Sequence, residues 1–352
     1  MKSARIVKPK EPLEVQELET PKAKGSQVIV KVQSSGVCHS DIHLWEGGYE
    51  GIEGQFLKTT DRGVKYPLTP GHEIAGIVES LGEEAQGFTK NEKVLVYPWI
   101  GEGLCPACRS GEENLCDKPG SLGIYTDGGY AEYVLVPSYK YLLKLNDEMD
   151  TDAASTLSCS ALTAYGAVKN ANLKPYDNVV IVGAGGGLGL MAVQLAKAVT
   201  GARIIALDLD YEKLKVAKEN GADEIVSPKE GEPVKRVMEI TDNLGADAVI
   251  DFVNASKTVE TDMQMLRRRA RVVLVGLFGG ELKLSLVSMP TRAYKLIGSY
   301  TGSITDLIEL VSLAKRGVIR PIISNRFKLN QATEALKMLK EGKILGRGVI
   351  NP

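Results

Sequence analysis

The chain has 352 residues, 43% of them hydrophobic, which exceeds one compact core and suits two domains of ordinary size. Its 43 basic residues stand against 44 acidic ones for a net charge of −1, so neither nucleic acid nor an anionic membrane is expected as a partner. Five cysteines, an odd count in a long chain, exclude a complete set of internal disulfides and make metal binding the better expectation for clustered thiols.

The N-terminus, MKSARIVKPKEP, lacks an apolar secretory core, so the cytoplasm is the expected location. The first 145 or so residues carry short alternating runs bounded by turn residues: QVIVKV, IAGIVESLG and KVLVYPW. They predict a partly barrel-like β domain. Residues 46–66, mixed in composition and rich in glycine, read as a long loop covering a site. Near residue 150 the texture changes to alternating strands and helices. NVVIV, ARIIAL, DEIVS, ADAVIDFV and RVVLVGLFG are apolar runs of the kind a parallel sheet buried on both faces requires, and KLIGSYTG (295–302) could be a last strand. The stretch Val179–Val199 is broken by glycines and Lys197, so it reads as strand plus helix rather than a membrane span. The fold class is therefore α/β: a doubly wound Rossmann-type parallel sheet plus the β domain. The expected division is a catalytic domain over 1–158, a dinucleotide-binding domain over 159–302, and a return to the catalytic domain over 303–352.

The strand NVVIV runs into a glycine-rich turn and then a helix from about Leu188. Backbone N–H groups in such a turn can approach a pyrophosphate, helped by the positive end of the helix. Gly186 and Gly189 fill the second and third glycine positions of the dinucleotide fingerprint, Gly187 and Leu188 lie between them, and Ala184 replaces the first. The next strand ends in Asp208, which can bond both ribose hydroxyls of adenosine and repels a 2′-phosphate; NAD is expected rather than NADP. Asp210 adds negative charge nearby.

Cys105 and Cys108, two residues apart, can grip one tetrahedral metal, with Cys116 as a third thiolate. Glu102 repeats that spacing and is proposed as the fourth ligand of a closed structural zinc site, with Glu112 and Glu113 also close in sequence. The remaining cysteines, Cys38 in GVCHSDIH and Cys159 in SCSALTAYGAV, combine with His72 in GHEIAG to supply two thiolates and an imidazole with a fourth position open, a catalytic zinc pattern.

These motifs, with TDGGYAEYVLVP at 126–137, resemble the zinc-containing medium-chain alcohol dehydrogenases over nearly the whole chain, and the thermophilic archaeal members in particular, which carry a glutamate in the structural zinc loop. The resemblance implies two zinc ions per chain. Cys38, His72 and Cys159 would hold the catalytic one, with Glu73 behind it as a transient ligand. Asp41 would orient His72, and Ser40 and His43 would relay the alcohol proton to water. His39 would face the cofactor phosphates, Thr163 the nicotinamide, Lys213 the adenosine ribose and Arg347 the pyrophosphate. Trp99, Trp45 and Leu277 are candidates for an apolar substrate pocket. The implied reaction is reversible oxidation of primary or secondary alcohols to aldehydes or ketones with hydride transfer to NAD. The implied assembly is a homotetramer with the 295–302 strand at one contact. A polyol or amino-alcohol dehydrogenase is the nearest rival, although such relatives commonly place an acid where Cys159 stands. A zinc-free quinone reductase is disfavoured by the ligand set, and a non-catalytic NAD-binding or structural protein is the alternative of another class.

Overall fold

The computed structural model describes residues 1–352. It divides into two compact units, one of residues 1–48, 58–162 and 302–352, the other of 49–57 and 163–301.

The first unit is built on a seven-stranded sheet. Its order is Ile323–Lys328, Arg347–Asn351, Val28–Gly36, Glu73–Leu81, Lys93–Val96 and Leu142–Lys144, with Tyr133–Val136 also paired to Val28–Gly36. Only the Ile323–Lys328 and Arg347–Asn351 pair is parallel. Val28–Gly36 is the central strand, and its end sets the register that matters. Gly36 faces Glu73 on one side and Val349 on the other. A Cβ on Gly36 would fall 1.9 Å from Glu73 Oε2, so only glycine lets the three strands close there. The helix Ala332–Lys340 buries Ala332, Ala335, Leu336 and Leu339 at helical spacing, against a core that includes Val37, Ile42, Tyr130 and Phe327.

The second unit is a six-stranded, all-parallel sheet in the order Glu224–Val226, Arg203–Leu207, Asn178–Val182, Ala246–Asp251, Leu266–Leu274 and Lys295–Gly298. Asn178–Val182 opens the sheet in its middle, and the chain then builds outward in both directions. That makes its C-terminal end a topological switch point, where open α/β sheets bind ligands. The core is aliphatic, from Val180, Val182, Ile205, Val249 and Val272 among others, as a sheet covered on both faces requires. KLIG of the expected last strand does pair into the sheet, as Lys295–Gly298.

Residues 46–66 differ from the expected long loop. Two short strands, Gly48–Glu50 and Phe56–Lys58, pair as a ribbon, and Glu50 bridges to Gly279 of the second unit's own loops. Glu53 and Gly54, both with positive φ, make the reversal. No helix is long and apolar enough to cross a membrane.

Candidate metal centre and dinucleotide turn

Strand Val28–Gly36 delivers Cys38 to the N-cap of helix His39–Glu46. Asp41, in the first turn of that helix, accepts a hydrogen bond from Cys38 N at 3.0 Å. Its other oxygen accepts from Gly71 N at 3.2 Å and lies 3.4 Å from His72 Nδ1. One carboxylate thus ties together the two chain segments that carry Cys38 and His72. Cys159 enters from the turn Thr156–Ser158, and its sulfur lies 4.0 Å from that of Cys38. Cys38, His72, Glu73 and Cys159 are all buried, and a ligand atom from each lies within 4.8 Å of the others.

The electrostatics suit a cation. The contact with Cys159 pulls the Cys38 thiol well below its ordinary range, helped by His72 and Arg347, while the same contact and burial push Cys159 up. Burial opposes charge on His72, but Asp41 outweighs it and holds that imidazole well above the ordinary value. Both ring nitrogens of His72 are buried with no hydrogen-bond partner, and while Nδ1 has the Asp41 carboxylate 3.4 Å away, Nε2 has no such neighbour. Buried polar nitrogens are rarely left so, and the two nearby sulfurs complete a donor set that zinc prefers. The residues fit a zinc ion.

Around this quartet the expected residues fall into three groups. Ser40 Oγ lies 3.8 Å from Cys38 Sγ, and His43 stands one turn further on in a partly buried position. Burial is the main cause that holds His43 below the ordinary histidine range, so it is neutral near pH 7 and able to accept a proton. Trp99 is buried, its ring 5.4 Å from that of His72, and its indole N–H donates to Ser158 O next to Cys159. Trp45 lies on the same helix as Ser40 and His43. It packs beside Leu13, Ile42 and Leu68, with its indole N–H on Glu11 O. Leu277 is exposed in the second unit, and His39 is exposed at the start of its helix.

Arg347 has a partner that the sequence does not predict. Expected at a pyrophosphate, it is 3% exposed and ion-paired through Nη2 with Glu73 Oε1. A carboxylate buried as Glu73 is must be neutralised, and the strand on the other side of Val28–Gly36 supplies the cation. Burial pushes the Glu73 carboxyl up, and Arg347 opposes that shift.

The second cluster brings Glu102, Cys105, Cys108 and Cys116 within the same 4.8 Å. Cys105 caps a one-turn helix, Pro106–Arg109, that sets Cys108 at 3.5 Å sulfur to sulfur, and Cys116 lies 3.8 Å from Cys105. Backbone N–H groups of Glu102 and Lys118 each donate to Cys116 Sγ at 3.3 Å. Glu113 faces Lys140 instead, at 3.1 Å, which favours Glu102 as the carboxylate of this group. A Cβ on Gly101 would lie 2.4 Å from Cys108 Sγ, so the loop needs glycine there.

In the second unit the turn after Asn178–Val182 begins at Gly183, with φ +74°, and the helix Gly187–Val199 starts at N-cap Gly186 with no side-chain cap. A Cβ on Gly189 would lie 2.2 Å from Gly183 O, the tight helix–strand contact expected of the third fingerprint glycine. Gly185 N donates to Asp208 Oδ2 at 2.9 Å, and a Cβ on Gly185 would strike the Lys213 side chain, so Asp208 and Lys213 both border the turn. Asp210 caps the following helix through Glu212 N and Lys213 N. Thr163 is buried in helix Ser160–Ala171.

One residue with a place at the metal centre carries no expected role. Tyr130 is fully buried and its hydroxyl donates to Asp41 Oδ2 at 3.0 Å. The GGY run that holds it was visible, but nothing in the sequence says which acid a tyrosine will meet.

Comparison with known proteins agrees with this geometry. The family described as "Zinc-binding dehydrogenase" matches residues 187–316, and "Alcohol dehydrogenase GroES-like domain" matches 24–147. An NAD-dependent alcohol dehydrogenase of Sulfurisphaera tokodaii is 45% identical over 352 residues, covering 100% of both chains. Among solved structures, the alcohol dehydrogenase of Aeropyrum pernix aligns with TM-score 0.91 at 36% identity, covering 100% of each chain. The D-arabinose dehydrogenase of Sulfolobus solfataricus aligns with TM-score 0.84 at 29% identity, covering 100% of this chain and 99% of that one. The chain belongs to the zinc-dependent, medium-chain alcohol dehydrogenase family.

Proposed function

We propose that this protein oxidises primary or secondary alcohols to aldehydes or ketones, and the reverse, with NAD as hydride acceptor. The observation that carries the reading is the buried quartet of Cys38, His72, Glu73 and Cys159 with His72 Nε2 unpartnered inside it. Zinc held by Cys38, His72 and Cys159 would supply the Lewis acidity that lowers the alcohol pKa, and NAD the hydride-accepting carbon. The second cluster would hold another zinc, making two per chain.

The chain's own residues do the rest. Ser40 would hydrogen-bond the alcohol hydroxyl, and neutral His43 would take the proton onward to water. Asp41 holds the His72 ring against its ligand-bearing loop. Trp99 would give the substrate an apolar wall, which favours aliphatic or aromatic alcohols over polyols. Asp208 would take the adenosine ribose, aided by Lys213, and disfavour a 2′-phosphate. His39 and Thr163 would meet the phosphates and the nicotinamide. A cytoplasmic homotetramer is part of the proposal, to be checked by light scattering and fractionation.

The likeness to a D-arabinose dehydrogenase supports a second reading, a polyhydroxylated substrate. One experiment separates the readings. Purified protein is mixed with NAD or NADP and a panel of alcohols, polyols and amino alcohols, and reduced nicotinamide is followed by absorbance. Turnover of simple alcohols with NAD, lost in Cys38→Ser, is expected. Turnover of polyols alone would favour the second reading. No turnover by protein shown to carry zinc at Cys38 would overturn both.

A further inference from the structure

We propose that Tyr130 is a positioning residue of the metal centre, whose buried hydroxyl sets the hold of Asp41 on His72. This rests on the reading of Cys38, His72 and Cys159 as a metal site.

Asp41 is fully buried and has four neighbours. Two are backbone N–H groups, of Cys38 and Gly71, fixed by the chain trace. The third is the His72 ring at 3.4 Å. The fourth is the Tyr130 hydroxyl at 3.0 Å, a side-chain donor outside the ligand set that can be removed without moving backbone. A carboxylate only accepts, so the phenol donates. Burial, then the charge of Asp41, holds Tyr130 far above its ordinary range, so that donor keeps its proton at every working pH.

The ring cannot drift. Gly128, Gly129 and Tyr130 pair by backbone with Thr69, Gly71 and Pro70, at 2.8, 2.7 and 3.0 Å. A Cβ on Gly71 would lie 2.4 Å from Tyr130 Cδ1, so the ring is seated on the backbone just before His72. The hydroxyl therefore reaches Asp41 Oδ2 from a fixed support while Oδ1 faces the imidazole. Donation to Oδ2 fixes the plane of the carboxylate, so that Oδ1 stays turned to His72 Nδ1 and the ring keeps Nε2 aimed at the metal position. Without the hydroxyl, Oδ2 keeps only the Cys38 N–H, and the carboxylate is freer to turn.

The test is Tyr130→Phe, which keeps the ring. Zinc release from the full-length protein to a chelating dye is timed, and the phase that is absent in Cys38→Ser is the one read. That phase is expected to quicken about ten-fold in Tyr130→Phe, the low end for loss of a group behind a metal-bound histidine. The visible bands of the cobalt-substituted protein are expected to shift as well. In an Asp41→Asn background, adding Tyr130→Phe should change the rate less than two-fold, because the hydroxyl acts through that carboxylate. An unchanged rate in Tyr130→Phe overturns the proposal, and so does the same ten-fold effect in both backgrounds, which would mark ring packing alone. A wild-type protein with no Cys38-dependent release phase overturns the metal reading itself and the proposal with it.

Discussion

The two cysteine clusters have like chemistry and unlike settings. At the second cluster Cys105 and Glu102 reach solvent, and the sulfurs are met by backbone N–H groups from their own loop. At the first, all four residues are buried, and distant strands and helices supply the support: Asp41 and Tyr130 behind His72, Arg347 behind Glu73, Trp99 beside the imidazole. A closed loop needs only to hold a metal, and local spacing suffices. A centre meant to react keeps one position open, and its remaining charges must be balanced by groups brought in from elsewhere.

That contrast can be broken in three places. Cys38→Ser should abolish turnover, by about a thousand-fold or more, while leaving the second metal in place. Metal analysis beside the activity assay checks this, and loss of both metals would mean the clusters are not independent. Arg347→Met should strand the Glu73 carboxylate and cost about 3 kcal/mol of folding stability. Denaturant midpoints would read it, and an unchanged midpoint would mean that Glu73 does not depend on its partner. Cys105→Ser should act oppositely to Cys38→Ser, lowering the melting temperature by about 5 °C while sparing catalysis per folded molecule. A catalytic defect larger than the loss of folded protein would contradict that division.

A further prediction concerns a buried acid pair in the second unit. Asp262 is buried and its carboxyl is raised to about 9, by burial first and then by the charge of Asp251. The folded protein thus keeps a proton that the unfolded chain releases near pH 4. The stability this gives is complete below about pH 4, falls as pH rises, and is gone above about 9. Asp262→Asn should flatten that slope, so that the variant gains stability over the wild type as pH rises from about 5 to about 9. Melting curves from pH 5 to 9 would decide, and parallel slopes in the two proteins would rule the idea out.

Much of the molecule was legible from the chain. Cysteine and histidine are few: spacing proposed the group of Glu102, Cys105, Cys108 and Cys116, residue type alone put Cys38, His72 and Cys159 together, and the structure gathers both groups. The glycine turn was legible because contacts as close as Gly189 to Gly183 O admit no Cβ. The two tryptophans were not distinguishable: each offers an apolar ring and one N–H, and only packing sends Trp99 to His72 and Trp45 to Glu11. The ribbon in residues 46–66 was missed because strands as short as Phe56–Lys58 carry no readable alternation.

By itself the sequence determined the metal-ligand chemistry, the dinucleotide turn and the alternation of a buried parallel sheet, since each depends on residue types no other residue can replace. The tertiary structure alone decided which abundant residues answer those few. Arg347 pairs with Glu73 because the strands that carry them flank the same end of Val28–Gly36, and Tyr130 reaches Asp41 because its loop pairs with residues 69–71. A buried charge must find its partner in space, and strand register, not sequence distance, determines which one it finds.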